Sequence, residues 1–204
     1  MTSLKFITIF LSITLYSCGQ SKTEKKADPT VTELSNKIIP LVNHLGNPDS
    51  CRKALLYLDS ATTIDSNCFL CYYNKLMFLS SLKQFDKALL AINNCIRISP
   101  FAQDLYLTGG ILYEKVGDTI SSRKYFQKSL TICNKVLDTM SISNRDYEML
   151  LTNKATNLIM LGDQQKASEV FKQLYDKQTD PDLKNEISSM MKKNKKQLLD
   201  SYDK

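Results

Sequence analysis

The cysteines are the residues of this 204-residue chain with the most chemistry to offer, and there are six of them. Cys68-Phe69-Leu70-Cys71 is a C-x-x-C. At that spacing two thiols can share a disulfide or contribute half of a metal site. A redox-active pair of this kind opens a helix beside a βαβ unit, and no strand pattern accompanies this one. A zinc site needs two further ligands close by, which the surrounding sequence does not supply. Thiol chemistry would be supported by a C-x-x-C exposed at a helix N-terminus with a depressed thiol pKa, and a buried or bridged Cys71 would count against it. The single histidine, His44, has no His/Cys/Asp cluster at ligand spacing around it. It reads as a residue near a helix end, where the dipole mildly favours a cation. No catalytic residue, metal or dissociable cofactor is expected.

Cys18 has a different setting. Lys5 precedes a ten-residue apolar run, Phe6 to Leu15, which ends in Leu15-Tyr16-Ser17-Cys18. A short apolar run behind a basic residue reads as an export signal; a spanning helix needs roughly 20 apolar residues, and Gly19-Gln20-Ser21-Lys22 ends this run too early. Leu15, Ser17 and Cys18 resemble a bacterial lipobox, with Tyr16 where a small residue is usual. The resemblance implies cleavage after residue 17 and acylation of Cys18. The usual several acyl chains of a lipoprotein would then give the stable anchoring that a lone chain does not. Gly19-Gln20 lacks the aspartate that retains such proteins at an inner membrane, so the expected location is the bacterial cell envelope, at the outer membrane, with the leaflet open. Residues 18–31 are polar and carry no apolar periodicity. As a tether they would reach about 40 Å fully extended and about 20 Å as a coil average.

Excess basic charge is modest, +6, and is spread along the chain, which does not point to nucleic acid. Setting Cys18 aside leaves five cysteines, an odd number, so at least one stays free or pairs outside the chain. Export makes disulfides permissible.

The elements that must carry these residues are helices. From Thr32 onward apolar residues recur at spacings of three and four, without persistent alternation. Gly46, Gly117 and Gly162 fall at expected helix ends, and Pro48, Pro100 and Pro181 at boundaries. Pro40 lies inside an apolar stretch and should kink or shorten the first helix. Ala54, Ala88 and Ser122 follow one another at 34 residues. Four residues after each come Leu58, Ile92 and Phe126; seven after come the small residues Ala61, Cys95 and Ser129. Ala167 with Phe171 continues the pattern after an insertion around Val136 to Asp146.

A 34-residue period of paired helices resembles the tetratricopeptide repeat. The resemblance implies an all-α fold: a short α-solenoid of helix pairs at about 35–68, 69–102, 103–136 and 148–181, within 32–181, closed by a C-terminal capping helix over 182–204. Leu183, Ile187, Met190, Met191, Leu198 and Leu199 would form that cap's apolar stripe. Lys192-Lys193-Asn194-Lys195-Lys196 would be its solvated back. In each unit the first helix lines an inner groove, and the positions carried over are Leu70, Tyr73 and Met77, then Leu107 and Ile111, then Thr152, Thr156 and Ile159. Relatives that bind chaperone tails use a cationic clamp. The matching positions here hold Ile39, Asn43, Asn74, Asp104 and Thr108, which argues against recognition of a carboxylate tail. Cys95, late on a second helix, is placed near the first helix of the same unit, so a Cys71–Cys95 disulfide is expected, with Cys68 as the competing partner. Cys51 and Cys133 have no evident partner.

The expected function is a membrane-anchored interaction scaffold or assembly factor that binds a protein or peptide partner along its apolar groove. Two other classes compete: a cysteine-based redox protein, and a small-ligand or lipid carrier, which would require a closed apolar cavity of several hundred Å³.

Overall fold

The computed structural model describes residues 28–202. Cys18, the expected export signal and most of the tether lie outside the described residues. Within them the chain forms eleven helices and no strand.

Asp28 accepts a hydrogen bond from the Thr30 amide and starts α1 (Pro29–Lys37), so residues 29–31, expected in the tether, are helical. Pro40 has no N–H to give a helix interior, and the chain breaks before it, leaving the short α2 (Ile39–Val42). Asn47 caps α3 (Pro48–Ile64), taking the amides of Asp49 and Ser50 on one side-chain oxygen. Then come α4 (Phe69–Ser81), α5 (Phe85–Ile98), α6 (Gln103–Lys115), α7 (Thr119–Leu137), α8 (Tyr147–Leu161) and α9 (Gln164–Lys177). From α3 on, each helix packs against the next one in sequence, through α10 (Pro181–Met191). That succession is the geometry of a solenoid.

The 34-residue register is the register of the core. Ala54, Ala88, Ser122 and Ala167 are fully buried. So are Leu58, Ile92 and Phe126, with Phe171 1% exposed. Small residues let two helices approach, and the large ones fill the space toward the next helix. Gly109 and Gly110 carry this furthest. A methyl group on Gly110 would stand 2.5 Å from the Phe126 ring, and one on Gly109 2.6 Å from the Tyr125 ring. The two glycines therefore admit α7 against α6 at a distance no alanine allows. Part of the insertion near 136–146 lengthens α7, and the rest is the loop to α8.

The turns between paired helices share one hydrogen-bond pattern. The amides of Gln84, Asp118 and Asp163 donate to the carbonyls of Leu79, Tyr113 and Leu158, closing each helix with a residue at positive φ. That residue is Gly117 (φ 83°), Gly162 (φ 90°) and, in the first of the three turns, Lys83 (φ 55°).

The C-terminal segment is not the single capping helix expected over 182–204. It is α10, closed at Lys192, followed by α11 (Lys195–Ser201), which Asn194 caps. Its side chain accepts from the Gln197 amide while the Gln197 side chain accepts from the Asn194 amide.

Candidate functional site

The cysteines do not pair as expected. Cys68 and Cys71 form the disulfide, with Cα atoms 5.3 Å apart, and Cys95 is a free, buried thiol, as are Cys51 and Cys133. The reason lies in which way the side chains face. Cys71 is buried in the cluster built on α3, with Cys51, Ala54, Leu58 and Phe78. Cys95 is buried in the next cluster, with Leu76, Ala88, Leu105 and Leu112. Cys68 sits one turn before Cys71 as the N-cap of α4, and its sulfur accepts from the Cys71 amide. The position is that of a helix-opening C-x-x-C, but Cys71 is both bridged and fully buried, the two features set against a thiol-exchange role. Burial pushes the Cys95 and Cys133 thiols up to about 12, so neither is an available nucleophile at neutral pH. His44 is exposed in the turn after α2. Among the described residues no cluster of His, Cys, Asp or Glu is arranged to hold a metal ion.

The positions assigned to the inner groove divide into two halves. On α4, Leu70 is 62% exposed and Tyr73 and Met77 are half-buried, with Tyr73 stacked on Phe69 at 5.9 Å between ring centres. At spacings of three and four they share one helix face. This half is open. Further along, Leu107 is buried and Ile111 half-buried on α6, and on α8 Thr152 is half-buried while Thr156 and Ile159 are buried. This half is closed.

Asp104 stands at the junction on α6. Burial raises its carboxyl above the usual range. Burial also raises the Tyr73 hydroxyl to about 12, with the nearby Asp104 charge adding to the shift. A carboxylate thus stands at one position where a tail-binding clamp requires a cation. Behind α6, a buried polar set ties three helices together. Ser129 donates to the Gln103 carbonyl at 2.8 Å, Asn157 donates to Ser129 at 2.8 Å, and the Cys133 thiol donates to the Gln103 side chain at 3.3 Å.

What closes the second half is the chain's own C-terminus. Lys195 Nζ lies 2.8 Å from Glu114 Oε1, and Lys115 Nζ donates to the Leu199 carbonyl at 3.1 Å. Leu198, 1% exposed, belongs to the same apolar cluster as Leu107 and Ile159. Lys195, expected on a solvated back, is therefore an ion-pair partner.

Residues 70–101 match the family model for the tetratricopeptide repeat. The chain contains a tetratricopeptide repeat. That matched range holds α5 and all but the first residue of α4, and with them the open half of the inner surface and Cys71 of the bridge. Solved structures similar to the whole array include the type IV pilus biogenesis factor PilW, at TM-score 0.54 and 17% identity over 86% of this chain and 76% of that one. They also include MamA, at TM-score 0.50 and 17% identity over 72% of this chain and 78% of that one. At such identities the likeness is one of fold, and the fold is an all-α tetratricopeptide-type solenoid. No curated protein sequence matches the chain.

Glu114 and Lys115 escape sequence reasoning, whereas Leu198 is buried as a residue of the cap's apolar stripe. Glu114 lies seven residues, two helical turns, beyond Leu107 and so extends the same stripe. Nothing local pairs it with a lysine 81 residues away.

Proposed function

We propose that this protein is a lipid-anchored interaction scaffold of a bacterial envelope, held through acylated Cys18 and binding a protein partner along the open half of its inner surface. The observation that supports the binding site is the face of α4. Leu70 is exposed there and Tyr73 and Met77 are half-buried beside it, an apolar and aromatic face on the first helix of the matched repeat. An amphipathic or extended segment lays apolar groups into such a surface. Asp104 at its border favours a segment that carries a cation. The polar residues after Cys18 would let the domain turn while staying close to the bilayer. The fold shared with a pilus biogenesis factor is compatible with assembly work.

A carrier role requires a closed apolar chamber. The cleft between α10 and α11 is bordered by Asn185, Ser188, Ser189, Lys192, Lys193 and Gln197, a polar and open lining. No helix among the described residues is long and apolar enough to cross a membrane.

The test is site-specific photocrosslinking in intact envelopes. A photoreactive residue at Met77 should give a discrete adduct that Leu70→Asp abolishes, while one at the exposed Leu56 on α3 should give none. Equal adducts at both positions would overturn the assignment of the surface. A Cys18→Ala variant should leave the membrane fraction; if it stays there unacylated, the anchor is wrong.

A further inference from the structure

In a repeat array each helix buries its apolar face against its neighbours in sequence. α11 does not follow this order. It is seven residues long, too short to hold together alone. Its polar anchors, Glu114 and Lys115, lie on α6, five helices back along the array. Its one deeply buried side chain, Leu198, enters the cluster that contains Leu107 and Ile159, with Ile111 and Leu199 at the margin. Three of these five were assigned to a groove that should be open. Their burial, set against the 62% exposure of Leu70, shows a surface with an occupant on one half only.

The occupant also shows what the surface accepts. The Glu114 side chain is 10% exposed and already takes the Ser122 hydroxyl at 2.6 Å, so its carboxylate is nearly out of water, while Lys195 reaches it from a side chain that is 40% exposed. A carboxylate in that position holds on to a cation, because leaving it unpaired costs its desolvation. Three and four residues after the lysine come the two leucines, the helical spacing that puts all three on one face. We propose that α11 is a displaceable internal ligand. The closed half of the inner surface then takes a partner helix of the same chemistry, a cation followed at three and four residues by two leucines. A partner with a longer apolar face replaces α11. Until then the apparent affinity of this half is reduced by the fraction of molecules in which α11 is docked. The inference rests on the inner surface being the binding surface, but it concerns the half that the Met77 crosslink does not sample.

The test uses the full chain and a labelled, amidated peptide of residues 194–202, followed by fluorescence anisotropy. In Lys195→Gln/Leu198→Ala, which frees the site, the peptide should bind at least tenfold more tightly than to the native chain. Adding Glu114→Lys should remove that binding and transfer it to a peptide in which the lysine matching Lys195 is glutamate. Equal affinity for native and freed chains, or indifference to the charge at 114, overturns the proposal. Unfolding of the double variant also overturns it, because α11 is then a structural cap. In the native chain the amides of 195–201 should exchange faster than those of α9, by opening without global unfolding; exchange at the same rate overturns displacement. A dimer of the native chain that trades α11 between copies identifies a second copy as the occupant and overturns the partner helix. A Met77 crosslink that persists when the peptide result is negative leaves the open-half reading standing.

Discussion

Lys83 holds a backbone conformation that its side chain penalises. Its φ of 55° closes the α4–α5 turn in the place where the later turns use Gly117 and Gly162, with the same hydrogen bonds. A side chain in the left-handed region costs about 1 kcal/mol relative to glycine. Lys83→Gly should therefore raise stability by about that much, near 2–4 °C in Tm for a domain of this size, and Gly117→Ala should lower it by a similar amount. Thermal denaturation of the pair checks both signs, and a loss in Lys83→Gly would show that the lysine makes contacts that outweigh the strain. Gly110→Ala runs against helix propensity. The methyl gains roughly 1 kcal/mol intrinsically, but it meets the fully buried Phe126 ring, and overpacking of this kind costs about 1–3 kcal/mol. The net expectation is destabilisation, whereas an open surface would give a gain. The cysteines have their own count. Without reductant, a chain whose Cys18 is replaced by serine should show three thiols, all unreactive until denatured, and five after reduction. The raised thiol pKa of Cys95 and Cys133 means burial disfavours the thiolate, so their alkylation in the folded chain stays slow well above pH 8. Because the Cys68–Cys71 bridge closes a loop of only four residues, its reduction should cost no more than about 2 kcal/mol.

At the scale of elements, the break at Asn194 decides the C-terminus. Asn194→Ala removes a capping box, worth about 1 kcal/mol. Since the cap acts on α11 alone, the loss should show as roughly fivefold faster amide exchange over 195–201, with α9 unchanged. Uniform acceleration would mean that α11 opens only with the whole array. The same elements show what a sequence makes legible. The recurrence of Ala54, Ala88 and Ser122, with Leu58, Ile92 and Phe126 behind them, is a statement about local helix faces, and those residues are the buried ones. Gly117 and Gly162, read as helix ends, act within one turn of themselves, where sequence spacing is spatial spacing. The disulfide was not legible, because choosing among Cys68, Cys71 and Cys95 requires knowing which neighbour each sulfur faces, and Cys71 and Cys95 face different ones. The groove positions were half legible. Helix faces could be assigned from the repeat, but not that Leu198, from a distant part of the chain, joins the cluster of Leu107 and Ile159. The lysines at 192–196 read alike in sequence, yet Lys195 differs because Glu114 lies within its reach.

For the whole molecule, the apolar core is not one body but three clusters in succession. The first runs from Val31 to Leu82, the second joins α3–α6 residues around Ile92, and the third extends from Leu107 to Leu199. In a globule with one core, removing any large buried side chain lowers the protection of every deep amide together. In a linear array, stability is carried by neighbouring units and the loss stays local. Phe78 and Phe171 are equivalent probes, both essentially fully buried, in the first and third clusters. Each Phe→Ala change should cost about 3–5 kcal/mol locally. Under mild denaturant, followed by hydrogen exchange, Phe171→Ala should speed exchange in α7–α9 while leaving α3 and α4 close to native. Phe78→Ala should do the reverse. The two halves will not be fully independent, because α11 ties α6 to the C-terminal end over 81 residues. With Lys195→Gln/Leu198→Ala in the background, the effect of Phe171→Ala on α6 should shrink, since the shortcut is gone and only the α7–α8 contact transmits it. If both phenylalanine variants slow or speed exchange evenly from α3 to α9, the array folds as a single cooperative unit, and the open half of the inner surface cannot flex independently of the closed one.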